Sequence, residues 1–178
     1  MRKLLPLFAL LLLLPLLAAA QSSAALDVEV LIPIACNAQE ESALLPLYCG
    51  PTQGFFRHGE QALDTAKPYV VFGQYDCWTM TAQGTAEAFG PAGWVETALL
   101  PSLPAMPELP FADGLSAMVE EDAAVTNDPL GLCTDTWAVS LMRGEEIMIL
   151  AQYGDWLYVQ TEIDSTPARV FLPAATVL

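Results

Sequence analysis

Short apolar runs separated by turn-forming residues set the rhythm of this chain. Residues 69–72, 78–81, 147–150 and 156–161 are brief, rich in β-branched or aromatic side chains, and bounded by Gly, Pro or Asp, a pattern that predicts strands. Between them, 73–76 and 151–155 read as the turns that join consecutive strands. Upstream, 26–32 alternates apolar and acidic positions as a half-buried strand does. Residues 120–124 can begin a helix, but helical periodicity is otherwise missing, and the predicted fold class is all-β. One segment breaks the rhythm. Pro101, Pro104, Pro107 and Pro110 recur at every third position, a spacing that favours extended polyproline conformation and makes 101–114 a linker. Its Leu103, Met106, Leu109 and Phe111 also suit a loop packed on the surface.

The predicted strands occur twice in register. Gln74, Tyr75 and Trp78 return as Gln152, Tyr153 and Trp156, 78 residues on, and the same offset places Leu47 on Val125, Pro51 on Pro129 and Leu63 on Leu141. Towards the end of each repeat the register slips by about one residue. The strand-like segment 26–32 has no clear counterpart before the second repeat and is expected to be an edge strand or lid.

The first twenty residues change the picture of the whole. Arg2 and Lys3, then an apolar stretch broken by Pro6 and Pro15, then Ala18, Ala19 and Ala20, form a secretory signal cleaved before Gln21. That apolar stretch is shorter than the ~20 residues needed to span a bilayer. Removing 1–20 from 178 residues leaves 158, expected to be secreted or periplasmic without membrane insertion. The signal takes two of the six basic residues, so the formal net charge falls from −15 to −17. Such a balance disfavours nucleic acid and anionic surfaces, whose binders work through clustered Lys and Arg. Each repeat is small enough for its own core to be marginal. Disulfides would help, and Cys36, Cys49, Cys77 and Cys133 all lie in the exported part, where three pairings are open. Zinc is disfavoured: no Cys pair has metal-ligand spacing and His58 is the sole histidine.

Residues 45–52, Leu-Pro-Leu-Tyr-Cys-Gly-Pro-Thr, resemble the opening strand of the bacterial SH3-like (SH3b) domain family, and Gly93, Trp94 and Val95 match its closing Gly-Trp-Val. In the second repeat, Leu141 and Gly144 are similar to the family's Leu-x-x-Gly turn, and Asp155, Trp156 and Val159 to its Trp strand. Phe171 closes that repeat without the Gly, and Ala66 and Lys67 stand where the first repeat should place its turn Gly. The resemblance implies two tandem small open barrels, 44–100 and 115–178, joined by the linker and preceded by an extension at 26–43. It implies a ligand groove at Tyr48, Phe55, Phe56, Tyr75 and Trp78 in the first repeat and Tyr153 and Trp156 in the second. Both Trp serve equally well as core residues, whereas Tyr75 and Tyr153, beside turns, are better placed for exposure. By the same analogy Cys49 pairs with Cys77 and Cys36 with Cys133; Cys36 with Cys49 is the close alternative.

Catalytic machinery is scarce. A Cys-His pair would have to use His58, whose place in the second repeat is taken by Thr136, and the adjacent acids Glu40 with Glu41 and Glu120 to Asp122 read as solvated surface. No nucleotide-binding glycine pattern or calcium loop is present, so no cofactor is expected. The expected function is a non-catalytic exported binding protein for a peptide or cell-envelope component, cationic because Glu60, Asp76 and Asp155 flank the groove. The alternatives are a structural spacer or subunit whose partner is another extracellular protein, and an enzyme with an unrecognised site.

Overall fold

Every described strand of one repeat has a counterpart in the other. The computed structural model describes residues 26–100, 102–109, 111, 114–132 and 139–177. The expected signal segment 1–20 and Cys133 lie outside the described residues. After β1 (Glu29–Val30), the first repeat is β2 (Ile34–Cys36), β3 (Leu44–Pro46), β4 (Ala62–Asp64), β5 (Tyr69–Tyr75), β6 (Trp78–Gly84) and β7 (Phe89–Glu96). The second is β8 (Leu115–Met118), β9 (Ala123–Ala124), β10 (Ser140–Leu141), β11 (Glu146–Tyr153), β12 (Trp156–Ile163) and β13 (Thr166–Pro173). Each set closes on a short 3-10 turn, Thr97–Leu99 and Ala174–Thr176. The protein is all-β, as expected, in several small sheets. The helix expected at 120–124 is instead partly β9, because Ala123 pairs with Leu141 as Leu45 pairs with Leu63.

In each repeat three long antiparallel strands run in order, β5-β6-β7 and β11-β12-β13, and a short strand covers the outer edge: β2 on β5 and β8 on β11. The first repeat therefore begins at Ile34 rather than at Leu44, and the expected extension 26–43 contains one of its strands. The turns are tighter than the sequence suggested. β5 and β11 run on to the Tyr of the repeated motif, leaving only Asp76-Cys77 and Gly154-Asp155 to reverse the chain. Asp76 (φ 53) and Gly154 (φ 55) share the left-handed first position, which Asp tolerates among non-glycines because its short side chain bonds locally. The register slip falls at the irregularity between Ala82 and Gly84, where β6 and β7 are joined by the loop 85–88, while β12 and β13 turn on Asp164 and Ser165 alone.

The remaining strand crosses over. β1 lies parallel to β11, Glu29 opposite Ala151 and Val30 opposite Gln152, and Leu31 N–H donates to Gln152 O at 2.8 Å. The linker does the same to the first repeat: Glu108 bridges Gln74 in parallel, Gln74 N–H donates to Pro107 O at 2.9 Å, and Leu109 N–H donates to Gln74 O at 2.7 Å. Leu31 and Leu109 are 78 residues apart and both are buried. Segment 26–32 thus has a counterpart after all, the linker itself, and both edge arms pack: Leu26 and Val28 against the second repeat, Leu103 and Met106 against the first.

Three apolar clusters result. One fills each repeat, and a third, between them, draws Val70, Phe72, Trp78, Met80, Phe89 and Trp94 from the first, Leu150, Tyr158 and Phe171 from the second, and Leu31, Leu109 and Phe111 from the arms. Strands β5, β6 and β13 each bury five consecutive residues. In β5 and β13 one face meets the repeat's own cluster and the other the shared cluster, and in β6 the face opposite the shared cluster is Thr79 and Thr81, bonded to Thr97 and to Val70 O. Two reciprocal main-chain bonds stitch the repeats: Arg169 N–H donates to Cys49 O, and Ala92 N–H to Asn127 O.

Candidate functional site

The Gln of the repeated motif is a lock. Its backbone receives the arm, and its side-chain amide donates across the turn, Gln74 Nε2 to Asp76 O at 2.7 Å and Gln152 Nε2 to Gly154 O at 2.8 Å. One residue thereby fixes the arm and the hairpin tip together. The Trp anchors: Trp78 is buried, with Tyr48 edge-on to it at 5.7 Å, and Trp156 is half-buried against the shared cluster.

The Tyr is where the repeats part. Tyr153 turns inward, its ring edge-on to Phe72 and Phe89 with centroids 6.5 and 5.4 Å away. Tyr75 stays 37% exposed. It lines a cleft of about 440 Å³ with Gln74, Asp76, Glu108 and Leu109, so the linker arm supplies one wall and the hairpin tip the other. Asp76 and Glu108 are both exposed there. The cleft offers an aromatic face between two carboxylates.

Against the Tyr75 ring lies a cation with no ion pair among the described residues. The Arg169 guanidinium is enclosed by four rings, Phe111 at 5.2 Å, Phe55 at 5.4 Å, Tyr75 at 5.5 Å and Trp94 at 5.9 Å. Its Nε donates to Gln160 Oε1 at 3.0 Å, one terminal nitrogen has no hydrogen-bond partner, and no carboxylate among the described residues comes within ion-pairing distance. Burial lowers its pKa below the ordinary guanidinium range, with the Tyr158 and Tyr75 hydroxyls opposing the shift. Cation–π contacts of up to about 2 kcal/mol when desolvated offset part of the cost of burying the charge. Phe111 reaches its place with φ 43, an uncommon conformation for a bulky residue, held because its ring is packed against Trp94 and Tyr158. In the first repeat Ala92 stands where the second has Arg169, so the first repeat has no matching cage at that position.

The remaining expected groove residues are drawn into packing between the repeats. Phe55 caps Arg169, and half-buried Phe56 packs on the second repeat and donates its N–H to Pro167 O. Of the seven positions, Tyr75 alone is exposed. The Arg169 cage carried no sequence signal, since a single Arg in a strand reads as a solvent-facing residue and its rings come from four separate segments.

The expected Cys49–Cys77 bond is not formed: Cys36, Cys49 and Cys77 are free thiols, with Cys49 buried in the second repeat's cluster and Cys77 exposed at the hairpin tip. The Cys36–Cys133 pairing falls on a residue outside those described. Burial pushes the Cys49 thiol from 9.0 up to about 12, the backbone N–H of His58 pulling weakly the other way, which is the reverse of what a thiolate nucleophile needs. Between those two values the unfolded chain has given up a proton that the folded chain retains. Stability is therefore complete below about pH 9 and declines as pH climbs towards 12. Melting temperatures at roughly pH 8 and roughly pH 10.5 are expected to fall for the wild type and to fall less for Cys49→Ala. Part of the fall persists in the variant, because Cys36, Tyr69 and Tyr158 are raised as well. An equal fall in both proteins would refute the assignment.

No family model, curated protein or solved structure matches the chain.

Proposed function

We propose that this chain is a non-catalytic exported binding protein, built of two SH3b-like modules, whose first repeat takes a cationic group of a peptide or cell-envelope ligand. The observation that carries the reading is the cleft in which the exposed ring of Tyr75 lies beside Asp76 and Glu108. An ammonium placed over the ring gains cation–π attraction and two nearby carboxylates, and the mature chain's charge of −17 draws it in at low salt. Arg169, 5.5 Å from the centre of the ring, weakens this attraction, so both carboxylates are needed. Support for the modules comes from the six-strand order given twice, with β3 to β6 recurring at offset 78, and from Gly144, which turns at φ 90 in the Leu-x-x-Gly position.

Calorimetric titration with hexalysine amide tests the reading. Binding is expected at low salt, weakened at least tenfold by Tyr75→Ala or by Asp76→Asn with Glu108→Gln, and unchanged by Glu120→Gln with Glu121→Gln, an exposed acidic pair elsewhere. Equal affinity in all of these would show that the cleft is not the site. A second reading, a rigid spacer, draws on the reciprocal crossing of the arms, and it predicts no saturable heat at all.

A further inference from the structure

The first arm is satisfied by the repeat to which it does not belong. β1 leaves the first repeat through a hinge of Leu31, Ile32 and Pro33, and the equivalent edge in its own repeat, at Gln74, is held by the linker. Pro33 biases Ile32 away from helical geometry, so the hinge is extended. The arm is retained by two register pairs, the bond from Leu31 N–H to Gln152 O, the partly buried Leu26 and Val28, and the buried Leu31 side chain. Val30 and Ile32, on either side of that leucine, are each 64% exposed.

A strand whose edge lies outside its own repeat meets an identical edge on every other molecule. Contacts made within the chain and between chains are then the same, and hinge reach and effective concentration decide between them. We infer that β1 is an exchangeable strand: the arm of one molecule pairs with β11 of a second copy of this chain, with its Leu31 filling the place in the shared cluster. Main-chain bonds to Gln152 supply affinity and the leucine supplies specificity, as in other strand additions. Leu109 fills the matching place on β5, so the same requirement for leucine is written into both edges. Reciprocal exchange closes a dimer; one-way exchange extends head to tail.

Deleting Ile32 and Pro33 shortens the hinge by up to about 7 Å, so that β1 cannot reach β11 while β2 stays on β5. Light scattering on the mature variant is expected to show at least a doubling of mass, and adding Leu31→Glu is expected to restore the monomer. A folded, monomeric deletion variant overturns the proposal, as does a dimer indifferent to Leu31→Glu. Should the deletion fail to fold, two full chains decide, both in a Cys77→Ser, Cys133→Ser background. One carries Val30→Cys and the other Gln152→Cys, residues opposite each other in register. Mixed at high concentration and warmed, they are expected to form a disulfide-linked heterodimer. If the single chain carrying both cysteines cross-links internally while the mixture gives no heterodimer, exchange between molecules is ruled out.

Discussion

Gly73→Val detaches the linker from the first repeat and destabilises the protein by about 3 kcal/mol, the cost of overpacking a close-packed site. A Cβ at Gly73 would lie 2.5 Å from Leu109 Cγ, 2.7 Å from Leu109 Cδ1 and 2.8 Å from Pro107 O, the last a backbone atom with no rotamer to relieve the clash. For a chain of this size, 3 kcal/mol corresponds to a fall in melting temperature of roughly 10 °C. Gly73→Ala is expected to cost about half as much, because the second repeat carries Ala151, also fully buried, at the matching place beside β1. Thermal melts of both variants check this. The cleft at Tyr75 loses its Glu108 wall in the valine variant, so affinity for hexalysine amide is expected to fall with stability. A valine variant as stable as the wild type would mean that the arm is not packed on Gly73.

Trp94→Ala is expected to cost about 5 kcal/mol, enough to populate the unfolded chain under mild conditions. Trp94 is fully buried between the repeats, donates its indole N–H to the Tyr158 hydroxyl at 2.7 Å, and supplies one ring of the Arg169 cage. Its removal leaves a large cavity, an orphaned hydroxyl and a less compensated charge at once. Trp94→Phe separates these effects, since Phe171 fills the equivalent place in the second repeat, bridging Thr126 as Trp94 bridges Tyr48. Its cost is expected near 2 kcal/mol, and adding Tyr158→Phe should return about 1 kcal/mol, because a buried hydroxyl without a partner costs more than no hydroxyl. Denaturant unfolding of the wild type, Trp94→Phe, Tyr158→Phe and the double variant measures the coupling. Strict additivity would place the Trp94–Tyr158 bond outside the energetics of the core.

The repeat was legible because its landmarks are large and local: Gln, Tyr and Trp sit on one hairpin, and the aliphatic runs before them belong to one strand. The arms were not. Offset 78 does map Leu31 on Leu109, yet the Pro-rich linker reads as polyproline, and an extended segment looks alike whether it is free or paired. Pro107 and Pro110 lack N–H groups, but the pairing with Gln74 needs only the Pro107 carbonyl and the Leu109 N–H, which is how proline is tolerated at a sheet edge. The groove fared similarly. Its aromatic positions suit a lone module, and it was packing against the second repeat, a contact the sequence does not show, that drew in Phe55 and Phe56 and left Tyr75 outside.

The opposite fates of Tyr75 and Tyr153 set the valency. A duplicated binding module ordinarily gains avidity on a surface that displays many ligands, because the second engagement is intramolecular. Here the second Tyr is spent on Phe72 and Phe89, and the one exposed ring leans on a cation that the first repeat does not possess. On the proposed function, duplication gives a single ligand face with a second repeat as its buttress, so each molecule is expected to count once on an array, however densely the ligand is displayed.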